Sequence, residues 1–200
     1  LGGKLTALVE RSSFIQTGPG TAFDFVTGTG SPSGDPVALT LRDSTVVSTQ
    51  KFAVTTDGGP LTLDGTTVDA TTANTQFAVA TSGGPTQILH SRITGGRIAV
   101  FVDGPLTVRD SAVRVRLDSG AFDGYGIFAG NSAPSPTTIV GSTIDVSGSK
   151  ARNAVHTTSL SITNSALLLR DTTSATATPV ISGTSEADTA GMPGRRTTET

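Results

Sequence analysis

Cysteine is absent from this 200-residue chain, which excludes a disulfide framework and any thiolate metal site. Tryptophan is also absent, tyrosine and methionine occur once each, and lysine occurs three times. With good helix formers this scarce, no window of eleven or more residues places apolar side chains at i, i+3, i+4 and i+7, so no amphipathic helix is expected. No run of 18 apolar residues exists, which excludes a membrane-spanning helix. The formal net charge of −2 leaves no case for a nucleic-acid or anionic-membrane partner, since both select a basic face. The first residue is Leu1 and the pattern opens without a leader, so a fragment or a processed chain is expected.

What is present is threonine, 35 residues, and glycine, 24. Threonine and valine suit a pleated strand and glycine suits tight turns, so the composition reads all-β. A short motif then recurs. Leu39-Thr40-Leu41-Arg42-Asp43-Ser44-Thr45-Val46 aligns with Leu61 to Val68, Thr86 to Ile93, Leu106 to Val113, Thr137 to Ile144 and Leu160 to Leu167, with a weaker copy at Ala7 to Phe14. The aligned hydroxyl residues Ser12, Ser44, Thr66, Ser91, Ser111, Ser142 and Ser165 are separated by 32, 22, 25, 20, 31 and 23 residues. A period of about 20 to 25 is the length of one coil of a β-solenoid.

The residue before each hydroxyl reads Asp43, Gly65, His90, Asp110, Gly141 and Asn164. These are the residue types that tolerate positive φ. The position is therefore expected to be a sharp left-handed corner, with the following Ser or Thr bonding nearby backbone or its counterpart in the next coil. Period-2 alternation on both sides predicts inner stacks of Leu41, Leu63, Ile88, Val108, Ile139 and Ile162, and of Val46, Val68, Ile93, Val113, Ile144 and Leu167. A second strand recurs as Phe52-Ala53-Val54, Phe77-Ala78-Val79 and Ile98-Ala99-Val100, and more loosely at Tyr125-Gly126-Ile127 and Ala154-Val155. Gly59-Pro60, Gly84-Pro85, Gly104-Pro105 and Ser135-Pro136 follow as turns, with proline opening the next strand.

The string hydrophobic-x-hydrophobic-x-(Asn/Asp/Gly)-Ser-x-hydrophobic resembles the repeat of right-handed parallel β-helix proteins, the pectin-lyase-like superfold, from residue 5 to about 170. The fold class is therefore all-β, a right-handed parallel β-helix of about seven coils and roughly 34 Å long at the usual strand spacing. Residues 1–181 are read as the solenoid, with a final strand over 176–181, and 182–200 as a polar linker or disordered tail. Open ends imply further coils or a cap at both. The superfold hosts polysaccharide lyases, polygalacturonases, tailspikes and adhesins, and fold alone does not select among them.

Residue chemistry narrows this. Asn-Thr-Asp, Asp-Asp, Gly-His-Gly and Arg-Ile-Lys, the signatures the resemblance implies for polygalacturonases, are all missing, and no two acidic residues are adjacent. Glycan cleavage needs paired carboxylates, or a base beside a carboxylate-neutralising cation. Asp43, Asp110 and His90 are corner residues, and His156 faces outward without a Cys, Glu or second His near it, so neither metal nor other cofactor is expected. The richest polar cluster is Arg92, Arg114, Arg116, Asp118, Asp123, Tyr125 and Asp145, around the insertion over 117–124, with Asp69, Thr94, Arg114 and Asp145 in one outward column. An Arg-Asp-Tyr face of this kind suits a sugar or an acidic polymer. The expectation is a non-catalytic, secreted or bacterial cell-surface module with a structural or adhesive role. The alternative is a polysaccharide-binding or polysaccharide-cleaving protein using the Arg114/Asp123 face. A further outward column of Thr40, Thr62, Thr107, Thr138 and Ser161 is interrupted by Gln87.

Overall fold

The computed structural model describes residues 6–18, 20–26, 38–71, 77–117, 123–130 and 135–187. Every regular element among them is a β-strand. The strands come in threes. β1 (Thr6–Glu10), β2 (Ser13–Gln16) and β3 (Phe23–Val26) precede β4 (Ala38–Arg42), β5 (Thr45–Ser48) and β6 (Val54–Asp57). β7 (Leu61–Asp64), β8 (Thr67–Ala70) and β9 (Phe77–Ser82) lead to β10 (Thr86–Leu89), β11 (Arg92–Gly95) and β12 (Ile98–Asp103). β13 (Leu106–Arg109), β14 (Ala112–Arg116), β15 (Gly124–Ala129), β16 (Pro136–Val140) and β17 (Thr143–Ser147) continue the pattern. β18 (Ala151–Thr163) is one long strand that fills the third place of one turn and the first place of the next. β19 (Ala166–Arg170) and β20 (Val180–Ala187) follow.

Each strand pairs in parallel with its equivalent one turn away. Three faces result. Face 1 runs β1-β4-β7-β10-β13-β16-β18, face 2 runs β2-β5-β8-β11-β14-β17-β19, and face 3 runs β3-β6-β9-β12-β15-β18. Faces 1 and 3 join through β18 into one sheet of 13 strands, whereas face 2 is a separate sheet of seven. The chain is thus a parallel β-solenoid. The last strand extends past residue 181, to Ala187, and pairs with β18 along both faces that β18 serves.

The inner stacks follow from the strand register. Leu41, Leu63, Ile88, Val108, Ile139 and Ile162 are successive partners on face 1. Val46, Val68, Ile93, Val113, Ile144 and Leu167 are successive partners on face 2. All but Leu167 are buried, and Leu167 packs partly exposed against the same cluster. No single turn could bury these side chains alone; stacking makes one continuous core from them.

Between faces 1 and 2 the chain turns through the left-handed corner. Asp43, His90, Asp110 and Asn164 have φ of 48°, and Gly65 and Gly141 have φ of 59°. Arg11 occupies the corner of the weak first copy at 48°. The hydroxyl that follows makes two bonds. It donates to the carbonyl two residues back, as in Ser44 to Arg42 (2.7 Å), Ser111 to Arg109 (2.7 Å) and Ser142 to Val140 (2.8 Å). It also accepts the N–H of the corner hydroxyl residue one turn earlier: Thr66 N–H to Ser91 Oγ (3.0 Å), Ser91 to Ser111 (3.0 Å), Ser111 to Ser142 (3.1 Å) and Ser142 to Ser165 (3.0 Å). The hydroxyls thereby satisfy backbone donors that the sheets cannot reach. Ser111→Ala leaves the buried Ser91 N–H without its acceptor. An unmade buried bond costs about 1–3 kcal/mol, so urea unfolding should show that loss; an unchanged midpoint would mean the ladder contributes nothing.

Candidate functional site

The connections between faces 1 and 2 are the corners, at two residues each, such as Asp43-Ser44 and Asp110-Ser111. The connections of six or more residues are 17–22, 27–37, 71–76, 117–123, 130–135 and 171–179, and each begins or ends on a strand of face 3 or on β20, which pairs with β18. Face 3 is therefore the one bordered by variable chain on both sides. Such segments carry binding function disproportionately, because a rigid scaffold holds them.

Its outward surface is aromatic. Phe52 stacks on Phe77 (ring centroids 5.4 Å apart, planes at 14°), Phe77 on Phe101 (4.9 Å, 24°) and Phe101 on Phe128 (5.7 Å, 12°). The imidazole of His156 extends the column on Phe128 at 4.4 Å and 14°. Tyr125 stands edge-on to Phe128 at 5.3 Å and to His156 at 6.3 Å. All six rings are half-buried. A small local irregularity creates this column. Four of the face 3 strands, β9, β12, β15 and β18, turn consecutive residues inward, among them the pairs Ala78-Val79, Ala99-Val100, Gly126-Ile127 and Ala154-Val155. The first of each pair is small because it sits where faces 2 and 3 converge. A Cβ on Gly126 would lie 2.6 Å from Ala154 O and 2.6 Å from Ile144 Cγ2. The double step places outward side chains three apart rather than two, so Tyr125 and Phe128 share the outer surface.

A polar group adjoins the column at its His156 end. Arg152 Nη1 donates to Asp123 Oδ2 at 2.6 Å, with both side chains about one-third exposed. The Asp123 hydrogen bond, supported by Tyr125, raises the Arg152 pKa, so its charge is secure. Burial holds the His156 pKa below the ordinary imidazole value, and the Arg152 charge adds to that lowering. His156 is therefore neutral near pH 7. Asn153, fully buried next to Arg152, anchors the chain leading to β20 through Nδ2 to Thr178 O (2.7 Å) and Oγ1 (2.9 Å).

The residues picked out by sequence divide between two faces. Arg92, Arg114, Arg116 and Asp145 lie on face 2, where Asp69, Thr94, Arg114 and Asp145 are in register as one column. Asp145 is buried beneath two guanidiniums: Arg114 Nε at 3.6 Å and Arg170, whose Nε donates to Oδ1 at 3.0 Å while Nη2 bonds Oδ2. Arg92 stands one column away, in register with Thr67 and Ala112. Arg116 has Ser147 as its neighbour, and Ser147 in turn pairs with Arg170. Asp123 and Tyr125 belong to face 3 and engage Arg152 rather than Arg114. Asp118 lies outside the described residues. Sequence reasoning passed over Arg152 and the Phe column, and it placed His156 facing outward without recognising its partners. The available signal was phenylalanine next to the repeated Ala-Val pair.

The corner carries its own charge chain, with Arg42 on Glu10 (3.0 Å) and His90 between Asp64 (3.0 Å) and Asp110 (3.9 Å). Exposed pairs of this kind contribute little stability. Among the described residues, no group of three or more His, Asp or Glu side chains is placed to hold a metal ion. No protein-family model, no curated protein and no solved structure matches the chain.

Proposed function

We propose that the chain is a non-catalytic, secreted or cell-surface solenoid module that presents face 3 as an adhesive surface for a glycan. The observation that supports this most is the half-exposed aromatic column on the one face bordered by long connections. Sugars combine apolar C–H patches with hydroxyl groups. A surface of ring edges ending in an Arg-Asp pair, a phenol and a neutral imidazole offers partners for both. On face 2, Arg114 and Arg170 instead cover Asp145.

Retention on a panel of immobilised polysaccharides tests the reading. Phe128→Ala should weaken retention about five- to tenfold, roughly 1 to 1.4 kcal/mol, whereas Arg114→Ala should leave it unchanged. The reverse ranking would move the site to face 2, and no retention of any glycan by the unaltered chain would overturn the proposal. A second reading, polysaccharide cleavage, is favoured by one observation: a neutral His156 lies near the cation Arg152, with Tyr125 beside both. That is the pairing of base and charge-neutralising group that such chemistry uses. Chain shortening by the unaltered protein, abolished by Asp123→Ala, would replace the adhesive reading with this one; no shortening would remove it.

A further inference from the structure

His156 occupies an unusual place for a titratable group. Its ring lies flat on Phe128 at 4.4 Å, at the end of the aromatic column. Its backbone pairs on the other side with Ile181 of β20. Arg152, four residues earlier on the same strand, is a cation whose charge acts on the ring, and its carboxylate partner Asp123 is already engaged. Tyr125 stands edge-on across the ring, and both Tyr125 and Asp123 come from the β15 side. On β20 the sole charged residue is Glu186, whose backbone partner is Ser161 on face 1. Among the described residues, burial and the Arg152 charge act on the imidazole, and no carboxylate counters them.

The same stretch of β18 holds the entry to β20. Arg152 O accepts from Thr178 N–H at 3.0 Å, Asn153 Nδ2 holds Thr178, and the N–H groups of Ala154 and Val155 both donate to Pro179 O. We propose that His156 is an acid-responsive latch: when protonated, it sets a second cation beside Arg152 between the Phe128 ring and β20, and so loosens the docking of β20 onto β18. The sign follows from linkage. The lowered pKa means that the folded form binds fewer protons than the unfolded form below the ordinary imidazole value. The stabilisation is complete above about pH 6.5 and is lost as pH falls through the folded value. The chain has no cysteine and two histidines, His90 and His156. His90 sits on an exposed corner between two aspartates and provides an internal reference.

Proton NMR titration of the two histidine rings, together with amide exchange of residues 180–187, tests the latch. His156 should titrate below 6.5. Protection factors of β20, corrected for the intrinsic pH dependence of exchange, should fall several-fold from pH 7 to pH 5, while those of β10 stay level. His156→Gln should flatten the β20 response. A His156 midpoint at or above 6.5, or β20 protection that does not change over this range, would overturn the proposal without bearing on whether face 3 binds a glycan.

Discussion

Gly84→Ala is expected to cost at least about 3 kcal/mol, the upper end of ordinary overpacking. Gly59, Gly84 and Gly104 precede the prolines of three successive turns between faces 3 and 1. Stacked in the solenoid, these turns meet backbone to backbone. A Cβ on Gly84 would overlap the carbonyl carbon and oxygen of Gly59 and lie 2.9 Å from Pro60 N. Likewise, a Cβ on Gly104 would lie 2.6 Å from Gly84 O. No side chain can rotate away to relieve the overlap, because the obstacle is main chain on both sides. The turns would have to separate, which opens the parallel pairing of β7 with β10 next to them. Equilibrium unfolding should show either that loss or no folded protein. Gly83→Ala makes an informative contrast. Its added Cβ meets Gly58 Cα at an ordinary 3.6 Å, so the cost there comes from its φ of 78° alone.

Leu63→Ala is expected to cost about 2–5 kcal/mol, the range for removing a large buried aliphatic side chain. Leu63 is fully buried and lies inside the face 1 stack, with Leu41 one turn before it and Ile88 one turn after. Strands spaced by backbone hydrogen bonds cannot close in along the axis, so the cavity stays open. A value toward the upper end of the range is predicted, read from the shift in denaturation midpoint at constant slope. Leu8→Ala, at an exposed position on the outer side of the same face, should be nearly silent.

Features of the fold that rest on residue type were legible in the sequence. The left-handed corner needs Gly, Asn, Asp or His, and all six positions holding those residues adopt positive φ. The seventh, Arg11, has the same φ but carries no such mark; only alignment of the weak first copy points to it. Inner stacks were legible because β-branched and leucine side chains alternate with polar ones on faces 1 and 2. Face 3 was not, because its strands place two residues inward in succession, and this break in period hides which side chains share the outer surface. Phe77 thus stacks on Phe101, although its backbone partner is Ile98. The polar cluster was half legible. Asp123 and Tyr125 stand beside the insertion and attract notice, but Arg152 reaches Asp123 from 29 residues away, one turn later. The outward column through Arg114 and Asp145 was read in register, yet the burial of Asp145 was not, since it depends on Arg170 from the following turn.

The register of parallel stacking underlies every one of these contacts, and a pair of introduced cysteines tests it directly. The chain has no cysteine of its own. Thr107 and Thr138 are direct partners on the outer surface of face 1, and Val140, in the same strand as Thr138, pairs instead with Arg109. Parallel partners stand about 4.8 Å apart, within the Cα separation of about 4.4 to 6.8 Å that a disulfide requires. Two residues along the strand, the separation rises to roughly 8 Å, beyond that reach. Thr107→Cys with Thr138→Cys should therefore oxidise to an intramolecular disulfide in the folded protein, and Thr107→Cys with Val140→Cys should remain reduced. Closure of the second pair in preference to the first, or of neither, would contradict the solenoid register described above.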